Sequence, residues 1–161
     1  MGANELSAAL WRQRELLDLL LFKYDTEHLL LAAGKSRWIP RATHEVEAVI
    51  EQLQTASLRT SVAMVDVADE WGVEADAKLR AVIDAAPTPV WKGIFTTHLE
   101  ALAALSNDIK AVRSQNDTLL RQALRSTQEM LNAIGSPTDT YTPDGVPGRG
   151  TATPALVDTK V

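Results

Sequence analysis

The sequence predicts an all-α protein, an antiparallel helical bundle or coiled coil of three main helices plus one short helix. Two observations lead to this class. Apolar residues recur three and four positions apart along most of the chain, which is the period of an α-helix. Aromatic residues make up only 5% of the 161 residues, and such a composition favours helices over a sandwich or barrel. We expect one helical domain over residues 1–135, ending in a long helix, and a disordered tail over residues 136–161, where Pro, Gly and Thr predominate.

The first two helices are predicted from their apolar repeats and their end signals. The first covers residues 4–33 and stops at Gly34, which tolerates the left-handed conformation of a helix end. Its apolar residues cover more than one face, so it needs neighbours on more than one side. The second begins near residues 37–41, because a proline there fits only a first turn, and ends at Gly72. Its middle, residues 55–61, is weakly apolar, which predicts looser packing.

A short third helix is predicted over residues 76–86, and a very long fourth helix follows it. Thr88 is an N-cap residue, and Pro89 suits the first helical position. From there the apolar repeat continues to Gly135. At 1.5 Å per residue the fourth helix would be roughly 65–70 Å long, and the first only about 45 Å. One end of the fourth helix should therefore leave apolar residues uncovered, which implies a partner.

Asn116 interrupts the apolar repeat of the fourth helix where an apolar residue is due. In one interpretation its amide hydrogen-bonds to a partner. In the other it lies in a coiled-coil seam, where a polar residue sets the register at some cost in stability. The two interpretations are compatible. We expect Asn116 to mark the boundary between the intramolecular seam and a partner-binding face.

Several function classes are disfavoured by composition. The net charge of −5 offers no basic face for nucleic acid. The absence of cysteine excludes disulfides, thiol catalysis and cysteine zinc sites. No signal peptide precedes the first apolar run, and Asp18, Lys23, Asp25 and Glu27 interrupt that run, which is the most apolar in the chain. We therefore expect a soluble, cytoplasmic protein.

Metal binding and catalysis are also not expected. Bundle metal sites need two Glu-x-x-His pairs and two further Glu residues, whereas only Asp25 and His28 approximate that spacing here. His28 and His98 should lie at the edge of the core with one ring nitrogen bonded. No nucleophile motif or phosphate-binding loop is present, so we expect a protein without cofactor or enzyme activity.

The chain resembles the flagellar export chaperone FlgN family. Three segments carry the resemblance: residues 15–53, the Asn-led amphipathic helix of residues 116–131, and the Tyr-x-Pro-x-Gly motif of residues 141–145. Their order and spacing are more specific than any one of them, because Leu-rich helices resemble one another easily. Together the segments and their spacing cover about residues 10–145.

The resemblance implies a cytosolic chaperone of flagellar assembly. Such a chaperone binds the C-terminal helices of hook–filament junction (hook-associated) proteins, prevents their premature assembly and delivers them to the flagellar type III export apparatus. It also implies docking on an export gate component through Tyr141. The implied partner-binding residues lie on the last long helix: Asn116, Leu119, Leu120, Ala123, Leu124, Thr127, Met130 and Leu131.

Two other classes remain open at this point. The wide apolar stripe of the fourth helix could be buried in a homodimeric coiled-coil scaffold without chaperone activity. A metal-binding bundle or enzyme is the third alternative. A weak homo-oligomer is compatible with the chaperone interpretation.

Overall fold

The computed structural model describes residues 2–135, which form four α-helices and one 3₁₀ turn and contain no strand. This confirms the all-α class. The predicted tail, with Tyr141, lies outside the described residues, so the domain division at residue 135 remains a prediction. Contacts separate a compact unit that ends at Gln122 from a second one that begins at Ala123. The elements are α1 (Gly2–Ala32), the turn (Ser36–Trp38), α2 (Ile39–Trp71), α3 (Leu79–Asp84) and α4 (Pro89–Gly135).

Local signals place most helix ends close to where the sequence predicts them. Gly34 and Gly72 have positive φ angles of 64° and 68°; Gly72 directly follows α2, and Gly34 lies two residues after the end of α1. Thr88 Oγ1 accepts a hydrogen bond from the backbone N–H of Trp91 at 3.4 Å, which caps the start of α4. The third helix is shorter than predicted, because residues 74–77 form a separate turn closed by the Ala77 N–H to Glu74 O bond of 3.0 Å.

Helices α1 and α2 run antiparallel, as the short connector predicts. Gln13 Nε2 donates to Ser57 Oγ at 3.0 Å, and farther along α1, Lys23 Nζ donates to Glu45 Oε2 at 2.7 Å. Residue numbers thus rise along α1 while those of its partners on α2 fall. The two helices pair along most of their length.

Helix α4 runs parallel to α1. Ser7 Oγ lies 3.3 Å from His98 Nε2, and His28 Nδ1 lies 2.9 Å from Asn116 Oδ1. The numbers rise together on both helices. Up to Gln122, α4 is therefore the third long helix of an up-down-up bundle.

Two apolar clusters hold the unit of residues 1–122 together. The first surrounds Phe95, whose ring packs against Trp71 and Trp91 with centroids 5.9 Å and 5.5 Å away. The second joins Leu20 and Tyr24 of α1 to two valines of α2 and to Ile109 and Val112 of α4. The buried members of the two clusters are Ala3, Leu6, Leu10, Ala63, Val67, Val82, Ile83 and Phe95, and Leu20, Tyr24, Val46 and Val49.

The predicted loose middle of α2 lies between these clusters. Thr60 satisfies its hydroxyl within its own helix by donating to Ala56 O at 3.0 Å. A cavity of about 530 Å³ lies beside this stretch and is lined by Ser57, Thr60 and Ser61 among others. Short polar side chains leave space that larger apolar ones would fill, and looser packing of this stretch stays a prediction.

Candidate functional site

Burial along α4 changes at one residue. The buried residues of this helix are Phe95, His98 and Asn116. After Asn116, Leu119 and Leu120 are half-buried, and every residue from Arg121 to Gly135 is exposed. Asn116 is thus the last buried residue of α4, which is where we expect the boundary of the intramolecular seam.

The exposed part of α4 carries large apolar side chains. Leu124, Leu131 and Ile134 are 70%, 58% and 82% exposed, and Met130 is 62% exposed. Leu124, Thr127, Leu131 and Ile134 follow one another at intervals of three and four residues, so they share one helix face. We call these four residues the α4 stripe. Soluble proteins seldom leave such a row uncovered unless it binds something.

The predicted partner-binding residues fall into three burial classes. Ala123, Leu124, Thr127, Met130 and Leu131 are exposed, whereas Leu119 and Leu120 are half-buried and Asn116 is buried. One helix presents the exposed members, and their part in partner binding remains a prediction.

A polar network surrounds Asn116 and joins all three long helices. Asn116 Nδ2 donates to the carbonyl oxygen of Tyr24 at 3.0 Å and to Glu27 Oε2 at 3.1 Å. Its Oδ1 lies 2.9 Å from His28 Nδ1. The other carboxylate oxygen of Glu27 accepts from Thr43 Oγ1 of α2 at 2.8 Å. Since an amide oxygen can only accept, His28 Nδ1 carries a proton in this arrangement.

This network places Asn116 inside the bundle, in agreement with the seam interpretation. Its side chain is 1% exposed, and its amide oxygen and amide nitrogen are both engaged with α1. A hydrogen bond from Asn116 to a partner would require the network to open. The expectation that His28 uses one ring nitrogen is confirmed.

Glu27 and Thr43 also belong to this network, and neither is among the site residues predicted from the sequence. Glu27 is 5% exposed and follows Leu20 and Tyr24 at intervals of four and three residues. It therefore occupies an apolar position of α1, as Asn116 does on α4. A polar residue at an apolar position of each helix is a signal in the sequence. That signal could have predicted the contact between Glu27 and Asn116.

His98 is 2% exposed, so the expectation that it lies at the edge of the core is wrong. Arg14 Nη1 lies 3.4 Å from Nδ1, and Ser7 Oγ lies 3.3 Å from Nε2. Because a guanidinium can only donate, Nδ1 accepts and Nε2 carries the proton. Burial, and then the charge of Arg14, lower the pKa of His98. The rings of His98 and Trp11 pack edge to face with their centroids 5.4 Å apart. These surroundings suit a neutral histidine that packs in the core.

Within residues 2–135, no group of three or more histidine or acidic side chains could hold a metal ion. In the same part of the chain, no helix is both long enough and apolar enough to cross a membrane.

The chain matches the model of a known protein family. A family model described as FlgN protein matches residues 1–148, which is nearly the whole chain and includes the Asn116 network and the α4 stripe. No curated protein and no solved structure matches the chain.

Proposed function

The chain belongs to the FlgN family of flagellar export chaperones, and from this premise we propose that it binds the C-terminal helices of hook–filament junction proteins. It keeps these hook-associated proteins from assembling prematurely in the cytoplasm and delivers them to the flagellar type III export apparatus. The observation that carries the proposal is the exposed α4 stripe, which lies beyond Asn116, the last buried residue of α4.

The binding is helix against helix. An amphipathic helix of the substrate packs its apolar side chains at i, i+3, i+4 and i+7 against the stripe. Each large aliphatic side chain that becomes fully buried contributes about 1.5–3 kcal/mol. Loss of translational freedom and side-chain ordering offset a large part of that gain. A site of this kind holds its substrate tightly enough for transport and releases it without chemical energy.

Protection follows from the same contact. The substrate helix that would drive assembly is covered while the α4 stripe occupies it, so the chaperone needs neither a cofactor nor a catalytic residue. Tyr141, which lies outside the described residues, is proposed to dock on the export gate. Substrate binding and docking would then use different parts of the chain.

Leu124→Asp tests the proposed face. A carboxylate on the stripe must be desolvated when the substrate binds, so we expect co-purification with co-expressed junction proteins to fall at least tenfold, which corresponds to about 1.4 kcal/mol or more. Val90→Asp is the matched control, because Val90 is 69% exposed at the other end of α4. Circular dichroism should show equal helicity in both variants.

The result also separates the proposal from its alternative. Equal capture of junction proteins by the wild type, Leu124→Asp and Val90→Asp would exclude the α4 stripe as the binding face. A tight dimer that no junction-protein helix changes would favour the coiled-coil scaffold instead. Hydrogen-exchange mapping of the complex should show new protection between Leu119 and Ile134.

A further inference from the structure

A groove of about 590 Å³ lies between α1 and α2, and no residue of the α4 stripe lines it. Ala8 and Ala9 of α1 and Ala63 of α2 line it, and their small side chains leave room for a helix to approach closely. Leu58 and Val62 of α2 also line the groove and are 71% and 64% exposed. The groove thus combines a shallow trough with a raised apolar edge, the two shapes that interdigitate when helices pack.

The charges around the groove are separated by sign. Arg12 and Arg59 line it together with Glu5 and Asp66. The Gln13–Ser57 hydrogen bond of 3.0 Å sets α1 and α2 in register, so the two arginines lie at one end and the two acids at the other. On each helix the opposite charges are seven residues apart, or about 10 Å by the helical rise. Arg12 also pairs with the exposed Glu15 at 3.2 Å, a type of contact that contributes little stability.

We propose that this groove is the interface with a second copy of the chain, related by a two-fold axis that crosses α1 and α2. Such an axis reverses the helix direction of the second copy. Glu5 then faces the second copy's Arg12, and Arg59 faces the second copy's Asp66. Because a two-fold interface repeats every contact, the dimer gains four opposite-charge pairs. A parallel arrangement would oppose like charges at both ends, which disfavours it.

The same axis matches the shapes of the two surfaces. The axis passes between Ala8 and Ala9 of α1 and between Val62 and Ala63 of α2. Val62 therefore meets the second copy's Ala63, and Ala8 meets its Ala9. Each valine thereby packs over an alanine, the smallest apolar side chain that lines the groove. The interface takes all its residues from the unit before Gln122, and it shares none with the α4 stripe. A dimer formed in this way holds two substrate-binding stripes at once.

Analytical ultracentrifugation of the full chain, from about 1 to 500 μM, tests the proposal. We expect a concentration-dependent monomer–dimer equilibrium. Arg59→Glu places two acids opposite each other at both symmetry-related contacts and should weaken the dimer roughly tenfold, a modest loss because exposed charge pairs contribute little each. Asp66→Arg should do the same. The double variant Arg59→Glu/Asp66→Arg restores opposite charges and should return the dissociation constant to near the wild-type value.

Val62→Arg should abolish the dimer, because two guanidinium groups would meet near the axis. Leu29→Asp is the matched control on α1, where Leu29 is 68% exposed outside the groove. Leu124→Asp should leave the dimer unchanged while it lowers substrate capture. A chain that stays monomeric throughout, a double variant that fails to recover, or a dimer lost in Leu124→Asp but kept in Val62→Arg would each overturn the proposed interface.

Discussion

At the scale of single residues, the decisive feature is the contact between two polar side chains at apolar positions. Asn116 of α4 and Glu27 of α1 would each be costly to bury alone, because a buried polar group without a partner loses about 1–3 kcal/mol. Together with Thr43 and His28 they satisfy one another. Such a network tolerates one alignment of the three helices, since a shift by one turn would leave several groups unpaired.

Asn116→Ala should therefore destabilise the protein by about 2–3 kcal/mol, because it leaves Glu27 Oε2 and His28 Nδ1 without their partner. Urea unfolding followed by circular dichroism measures the loss. Asn107→Ala is the control, since Asn107 is exposed on the same helix and should change stability by less than about 0.5 kcal/mol. Equal effects of the two substitutions would show that the network contributes no stability.

His98 makes stability depend on pH. Burial and Arg14 hold its folded-state pKa below the usual value of 6.5, so the unfolded chain takes up a proton first as the pH falls. The contribution of His98 to the free energy of unfolding is complete above pH 6.5 and is lost as the pH falls from 6.5 towards the folded-state pKa. We expect the urea midpoint to drop between pH 7.5 and 5.5 by more in the wild type than in His98→Gln. Parallel pH profiles of the two proteins would contradict this assignment.

At the scale of elements, α4 combines two environments in one helix. Its first part shares the apolar clusters of α1 and α2, whereas residues 121–135 are exposed on all sides. That second part is rich in Leu, Arg, Gln, Ala and Met, which favour helix without tertiary support. It also continues an existing helix, so the costly nucleation step is avoided. A helical binding surface can therefore form before any substrate is present.

The predicted tail should act separately from that surface. We expect a chain without residues 136–161 to capture junction proteins as well as the full chain, because the α4 stripe is intact. Tyr141→Ala should also retain full substrate affinity, yet reduce secretion of junction proteins in a motile cell. Tyr141→Phe is the control for loss of the ring. Normal secretion by Tyr141→Ala would remove this residue from the docking proposal.

At the scale of the whole molecule, the bundle separates its surfaces by residue range. The α1–α2 groove uses residues before Gln122, and the α4 stripe uses residues after it. A substitution on one surface therefore leaves the other chemically unchanged. This makes self-association and substrate capture independent readouts of two different faces. Val62→Arg should therefore weaken only self-association, and Leu124→Asp only substrate capture.

The helices and most of their ends are determined by the sequence alone, because the signals are local. Gly34, Gly72 and the Thr88-Pro89 pair act within a single turn, and the apolar repeat of α4 reports its own periodicity. The apolar residues of the α4 stripe likewise follow from this local period. The short extent of α3 was not, because a separate turn over residues 74–77 competes with the same apolar pattern.

The direction of each polar side chain was decided only by the tertiary structure. Asn116 hydrogen-bonds to residues 88 to 92 positions away, and no local pattern specifies such a contact. His98 is buried because Ser7, Trp11 and Arg14 of α1 surround it. The α1–α2 groove likewise exists only once the two helices are in register. Many residues could hydrogen-bond to a given polar side chain, and long-range packing determines which of them lies within reach. These contacts are therefore defined only in the folded molecule.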